Sequence, residues 1–167
     1  NFPDTPGGDS WGSALDTEAL PCANDAQFLL SAEKTIFRQI KNSLNSLGIK
    51  FDIFSNEKSF YDSGAIKQLL SQLKDKGLIY EDGGATWFKA TELGAKQDKV
   101  YIKSSGEPTY RLPDTAYHRD KIKRDFDLIV DVFGADHTDT YPDVLSALKA
   151  LNLDTDHIKI LIYQFVT

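Results

Sequence analysis

The side chains best placed to do chemistry fall in two short strings. Tyr110 and Asp114 are four residues apart, so a helix starting there would set both on one face. A phenol beside a carboxylate can cradle a planar cation, and a guanidinium fits that description. The plainer reading makes Asp114 a helix cap and Tyr110 a cover for the edge of the core. The second string, Gly134-Ala135-Asp136-His137, directly follows an apolar run. Glycine lets a backbone come close to a ligand, while Asp136 offers an acceptor and His137 a donor or an acceptor. A strand-end turn with a helix cap would use the same residues.

Asp136, His137 and Asp139, with Tyr141 and Asp143 following, also make a carboxylate and imidazole group of the kind a metal-dependent hydrolase uses. His118 and His157 lie outside it, and Thr140, Asp139 or Asp143 would serve equally as the cap of a helix beginning near Pro142. Two basic stretches, one of His118, Arg119, Lys121, Lys123 and Arg124 and the other of Lys34, Arg38 and Lys41, suggest a third possibility, a non-catalytic module that docks RNA or protein. Such runs are usually solvated helix faces. No Gly-rich phosphate loop, nucleophile elbow or paired metal-ligand motif is present in the sequence.

The elements that must carry these residues follow from periodicity. Residues 1–24 are broken by Pro3, Pro6-Gly7-Gly8, Gly12 and Pro21 and read as a loop or arm. From Asp25, Phe28, Leu29, Ala32, Ile36, Ile40, Leu44 and Leu47 recur at helical spacing up to Gly48. A second helix carries Ile66, Leu69, Leu70 and Leu73 on one face and ends at Gly77. The pair Gly83-Gly84 between Leu78-Ile79-Tyr80 and Thr86-Trp87-Phe88 predicts a hairpin. Val100-Tyr101-Ile102 reads as a strand, 114–124 as a helix, and Phe126 to Phe133 as a strand buried on both faces. A helix from Pro142 through Leu151 and a last apolar run at Ile158 to Val166 complete the series. Strand, helix, strand, helix, strand implies three parallel strands with right-handed crossovers. The expected fold is α/β: the second half of a Rossmann-type parallel sheet with helices over 98–167, plus a helical insertion carrying a small β-hairpin over 25–97. Ligands of such sheets bind beyond the carboxyl ends of the strands, where both chemical strings would lie.

Composition narrows the classes. The chain has 167 residues, 19 basic against 25 acidic, and a formal net charge of −6, which excludes wholesale electrostatic coating of nucleic acid. A single cysteine, Cys22, rules out an internal disulfide or a Cys-rich zinc site and fits a reducing, intracellular setting. No apolar run approaches the roughly 20 residues of a membrane span, and the start, Asn1-Phe2-Pro3-Asp4, lacks a signal-peptide layout. Methionine is absent even at position 1, so an internal piece of a longer gene product is expected.

Taken together, several strings resemble the catalytic core of bacterial arginyl-tRNA synthetases, members of class I. They are Leu47-Gly48-Ile49-Lys50-Phe51-Asp52, Asp82-Gly83-Gly84-Ala85-Thr86-Trp87, Thr109-Tyr110 with Asp114-Thr115-Ala116-Tyr117-His118, Phe126-Asp127, and Gly134-Ala135-Asp136-His137, in family order and spacing over 25–167. The resemblance implies a cytoplasmic ligase that condenses arginine with ATP to arginyl adenylate and passes the arginyl group to tRNA(Arg). Magnesium would enter with ATP, without a tightly bound cofactor or an assigned metal ligand. By the same resemblance Tyr110, Asp114 and Gln164 would hold arginine, Asp114 pairing with its cationic end, and Gly134, Asp136 and His137 would lie at ATP. The family's histidine-rich ATP signature, its KMSK-like loop and its tRNA-binding domains are not in this sequence, so the chain alone is expected not to charge tRNA. Asp125 stands where the family usually has glycine, and Thr138 where a second histidine is common.

Overall fold

The computed structural model describes residues 25–164. The arm expected over 1–24, Cys22 and the end of the last apolar run lie outside them. The chain divides into two compact units, Asn1–Ile53 and Phe54–Thr167. The described residues of the first are dominated by the long helix α1 (Asp25–Ser46), as its apolar spacing requires.

The second unit opens with a short helix, α2 (Glu57–Asp62), capped by the Asn56 side chain, which accepts from the Lys58 N–H. Helix α3 (Ala65–Asp75) follows and buries Ile66, Leu69 and Leu73, the face its spacing predicts. Strands β1 (Ile79–Asp82) and β2 (Ala85–Phe88) form the expected hairpin. Gly83 and Gly84 both have positive φ, the conformation a two-residue turn needs to match strand twist. Strand β3 (Lys99–Ile102) then pairs antiparallel with β2.

That pairing corrects the expected three-stranded parallel sheet, for β3 closes a three-stranded antiparallel sheet of order β1-β2-β3. The connection from β2 is too short for a right-handed crossover and is spent on a 3₁₀ turn, Ala90–Leu93. Packing supplies the rest of the reason: fully buried Tyr101 on β3 stacks on fully buried Phe88 of β2, ring centroids 4.9 Å apart. With Leu69, Leu73 and Leu112 they form the main core of the unit.

Beyond β3, helix α4 (Arg111–Lys123) leads to strand β4 (Ile129–Gly134), helix α5 (Tyr141–Ala150) and strand β5 (Ile158–Tyr163). Strands β4 and β5 pair in parallel from Ile129↔Ile158 to Gly134↔Tyr163, which is the predicted strand-helix-strand unit. Helices α4 and α5 pack together, and buried Asp143 on α5 accepts from Arg111 Nε at 3.0 Å, with Lys99 Nζ at 3.6 Å. Asp143 is therefore a packing residue.

Burial along β4 also departs from expectation, because only alternate side chains are covered. Ile129 and Asp131 are buried, while Val130 and Val132 stay exposed, Val132 at 57%. Leu161 and Tyr163 of β5 are exposed too. A parallel sheet is apolar on both faces because helices normally cover both, but among the described residues only one face of this pair is covered.

Asp125, which follows the last turn of α4, has φ 58°. It occupies the left-handed position after a helix end, where glycine costs least. Asp125→Gly should therefore stabilise the full-length protein by about 0.5–1 kcal/mol, seen as a higher urea midpoint with unchanged slope. A lower midpoint would count against this account of the turn.

Candidate active site

Helix α4 positions the first string. Tyr110 is its N-cap residue, and the Asp114 N–H donates to the Tyr110 carbonyl at 3.0 Å, so the two residues sit one turn apart, as their spacing predicts. Tyr110 is exposed, with the Arg111 guanidinium 5.4 Å from its ring centroid. It does not cover the core edge. Asp114 is half-buried and makes no ion pair with the cations of the described residues. Burial pushes its carboxyl above the ordinary value, and the positive charges of His118, His137 and Lys121 only partly offset this.

A cavity of about 90 Å³ lies against Asp114, lined also by Ser55, Glu57, Phe60, Pro113 and Tyr117. It is too small for a nucleotide and suits the head group of one side chain. Glu57 gives the cavity a second carboxylate, and Phe60 and Tyr117, ring centroids 5.9 Å apart, give it aromatic walls. Two acids and π faces favour a delocalised cation. No local pattern singles out Glu57, which stands alone in a polar stretch and enters the site only because α2 packs against α4.

Parallel strands position the second string. Gly134 is the last residue of β4, opposite Tyr163 at the end of β5, and a 3₁₀ turn, Ala135–His137, follows. Gly134 has an extended backbone that any residue adopts, and an added Cβ would stand 2.5 Å from Asp136 Oδ1, the end of an exposed side chain that can turn aside. Asp136 is exposed, and its Oδ2 lies 3.7 Å from His137 Nε2. The His137 ring stacks on Phe133 at 5.1 Å between centroids. Gln164 was expected on the last strand, but it is exposed one residue beyond the end of β5, on the same edge as Gly134. The Phe133 ring links the two strings: its centroid lies 6.3 Å from that of His118, one turn after Asp114, and 5.1 Å from that of His137.

The alternative uses find less support. Among the described residues no three His, Cys, Asp or Glu side chains converge as metal ligands, so Asp136, His137 and Asp139 lack the shared centre a metal hydrolase needs. Much of the basic stretch on α4 is engaged internally, with Lys121 and His118 on Asp131 and Arg124 on Asp120 and Ser55, while Arg119 reaches only the neutral Gln68 amide and Lys123 is not among these pairs.

Residues 21–165 match the family model described as tRNA synthetases class I (R), catalytic domain. The chain is 53% identical over 136 residues to an arginine–tRNA ligase of Desulfotalea psychrophila, covering 81% of the chain and 25% of that relative. With the ligase of Salinibacter ruber it shares 50% identity over 161 residues, 95% of the chain and 28% of the relative. A solved structure described as an arginyl-tRNA synthetase of Campylobacter jejuni superposes with a TM-score of 0.73 at 32% identity, over 81% of this chain and 30% of that one. The chain thus spans about a quarter of the length of the curated relatives it matches.

The raised Asp114 carboxyl sets a direction for stability. Because its folded value lies above its unfolded one, the native state holds this proton more readily, and the charged form disfavours folding at neutral pH. That penalty fades as pH falls toward about 4, where the unfolded carboxyl also takes up its proton. In the unliganded full-length protein, Asp114→Asn should raise the Tm at pH 7, with the gap closing toward pH 4. A variant less stable than wild type at pH 7 would show that burial is not what governs this group.

Proposed function

The chain belongs to the arginine-specific class I tRNA synthetases, matching their catalytic domain, and from that premise we propose that the whole protein ligates arginine to tRNA(Arg). In this reading a carboxylate oxygen of arginine attacks the α-phosphorus of ATP and pyrophosphate leaves, after which a hydroxyl of the terminal tRNA ribose attacks the arginyl carbonyl and AMP leaves. Magnesium arrives with ATP as a component of the substrate. The protein's contribution is positioning and charge stabilisation at the transferring phosphoryl group.

The observation that carries the reading is the half-buried Asp114 carboxylate, desolvated without a cation of its own and facing a cavity sized for a side-chain head group. Arginine's guanidinium would supply the missing charge, with Glu57 as a second acid and Tyr110 at the mouth. Gln164 would add a polar contact from the end of β5. Gly134, Asp136 and His137, on the adjoining strand edge, would take ATP: glycine by close backbone approach, Asp136 as an acceptor, and the stacked His137 ring as a flat surface beside the base. We assign 25–97 to a connective insertion carrying the hairpin and 98–167 to the second half of the nucleotide-binding sheet, with β3 at the seam between them. The whole protein is placed in the cytoplasm, where its tRNA is charged. No helix among the described residues is long and apolar enough to cross a membrane.

In tRNA charging by the full-length protein, Asp114→Asn should raise the arginine KM about 100-fold or more and leave the ATP KM within about twofold, since a desolvated ion pair loses one partner. Glu57→Gln, more exposed, should raise the arginine KM by about three- to tenfold. An arginine KM unchanged in Asp114→Asn would defeat the guanidinium assignment.

A further inference from the structure

One buried titratable group has no role in the site just described. His118 lies on α4, one turn after Asp114, and is almost wholly buried. Its Nδ1 is 2.8 Å from the backbone carbonyl oxygen of Asp114, and its Nε2 is 2.9 Å from Oδ2 of Asp131 on β4. A carbonyl oxygen can only accept. Asp131 would have to be protonated to donate, yet although burial by itself would raise its carboxyl, hydrogen bonds from His118 and Lys121 and their charges hold it below the ordinary range. Each ring nitrogen therefore faces an acceptor, which neither neutral tautomer satisfies, since either would leave one lone pair pointed at an oxygen. Lys121, the second cation on Asp131, also lies 4.4 Å from the Tyr117 ring, and Tyr117 lines the cavity beside Asp114.

We propose that His118 is a positioning residue: carrying a proton on both ring nitrogens, it staples the Asp114 turn of α4 to Asp131 on β4. It thereby sets where the arginine-binding carboxylate stands relative to the strand-end residues Gly134 to His137. The role rests on the arginine reading above, whereas the protonation rests on the two ring contacts and on Asp131, which Lys121 also pairs, being ionised. His118 is not among the residues lining the cavity, so its effect passes through the backbone of its own helix. Asp131 lies on the covered face of the strand that ends at Gly134. The staple therefore joins the two elements whose ends carry the two halves of the site.

The full-length protein provides the test. Nitrogen-15 NMR of histidine-labelled protein at pH 7 should show one ring with two protonated nitrogens, absent in His118→Ala and converted to a neutral tautomer in Asp131→Asn, where the amide can donate to Nε2. In tRNA charging, His118→Ala should raise the arginine KM about tenfold with the ATP KM within about twofold, and His118→Gln, which keeps a donor toward Asp131, should recover most of that loss. A neutral His118 ring in the wild type would overturn the protonation. Equal rises in both KM values, or no rescue by glutamine, would overturn the positioning role and leave only structural support. If His118→Ala fails to fold, the wild-type spectrum and His118→Gln decide the matter. Failure of Asp114→Asn to alter the arginine KM would instead sink the arginine reading, without touching the ring's protonation.

Discussion

A carboxylate enclosed in protein must be balanced where it stands, and Asp131, with 4% of its side chain exposed, is the group on which the α/β portion of this chain turns. Placing an acid at an inward position of β4 costs solvation that only close cations can return. His118 and Lys121 supply them from successive turns of one helix face, so α4 has little freedom to slide or rotate over the strand. An apolar side chain at 131 would pack there without demanding a particular partner.

The placement of α4 over β4 matters because the site is composite. Its acid pocket is built on the first turns of α4 and on α2, whereas its strand edge is built by β4 and β5. Asp143 has a matching role on α5, drawing in Arg111 and Lys99 and so fixing the N-terminal turn that carries Tyr110. Two buried acids on different elements thus hold both ends of helix α4. Asp114 on the same helix differs from them, since no cation among the described residues pairs with it. A desolvated acid left unpaired in the free protein is where a cationic ligand gains most on binding.

The parallel pair β4 and β5 is covered on one face and bare on the other among the described residues, while the antiparallel sheet of β1 to β3 is tied into the main core by Phe88 and Tyr101. The main core cluster draws chiefly on that antiparallel sheet, α3 and α4. The strand edge that carries Gly134 rests on a lighter base, a two-stranded sheet joined to α4 largely by polar links.

Local chemistry was enough for much of this. The face of α3 through Ile66, Leu69 and Leu73, the Gly83-Gly84 turn, the one-turn spacing of Tyr110 and Asp114, and the β4-α5-β5 order all follow from side-chain period and backbone conformation, which short stretches of sequence encode directly. The family followed too, from motifs in order. What the sequence misjudged or left open depended on partners distant along the chain. Whether β3 joined β2 or β4, whether both faces of β4 were covered, and whether Asp143 was a cap, a metal ligand or an ion-pair partner turn on which surfaces meet. Glu57 enters Asp114's cavity from a separate helix far back along the chain, and His118 meets Asp131 from a different element. Burial and charge pairing are properties of an environment, and only the folded chain supplies one.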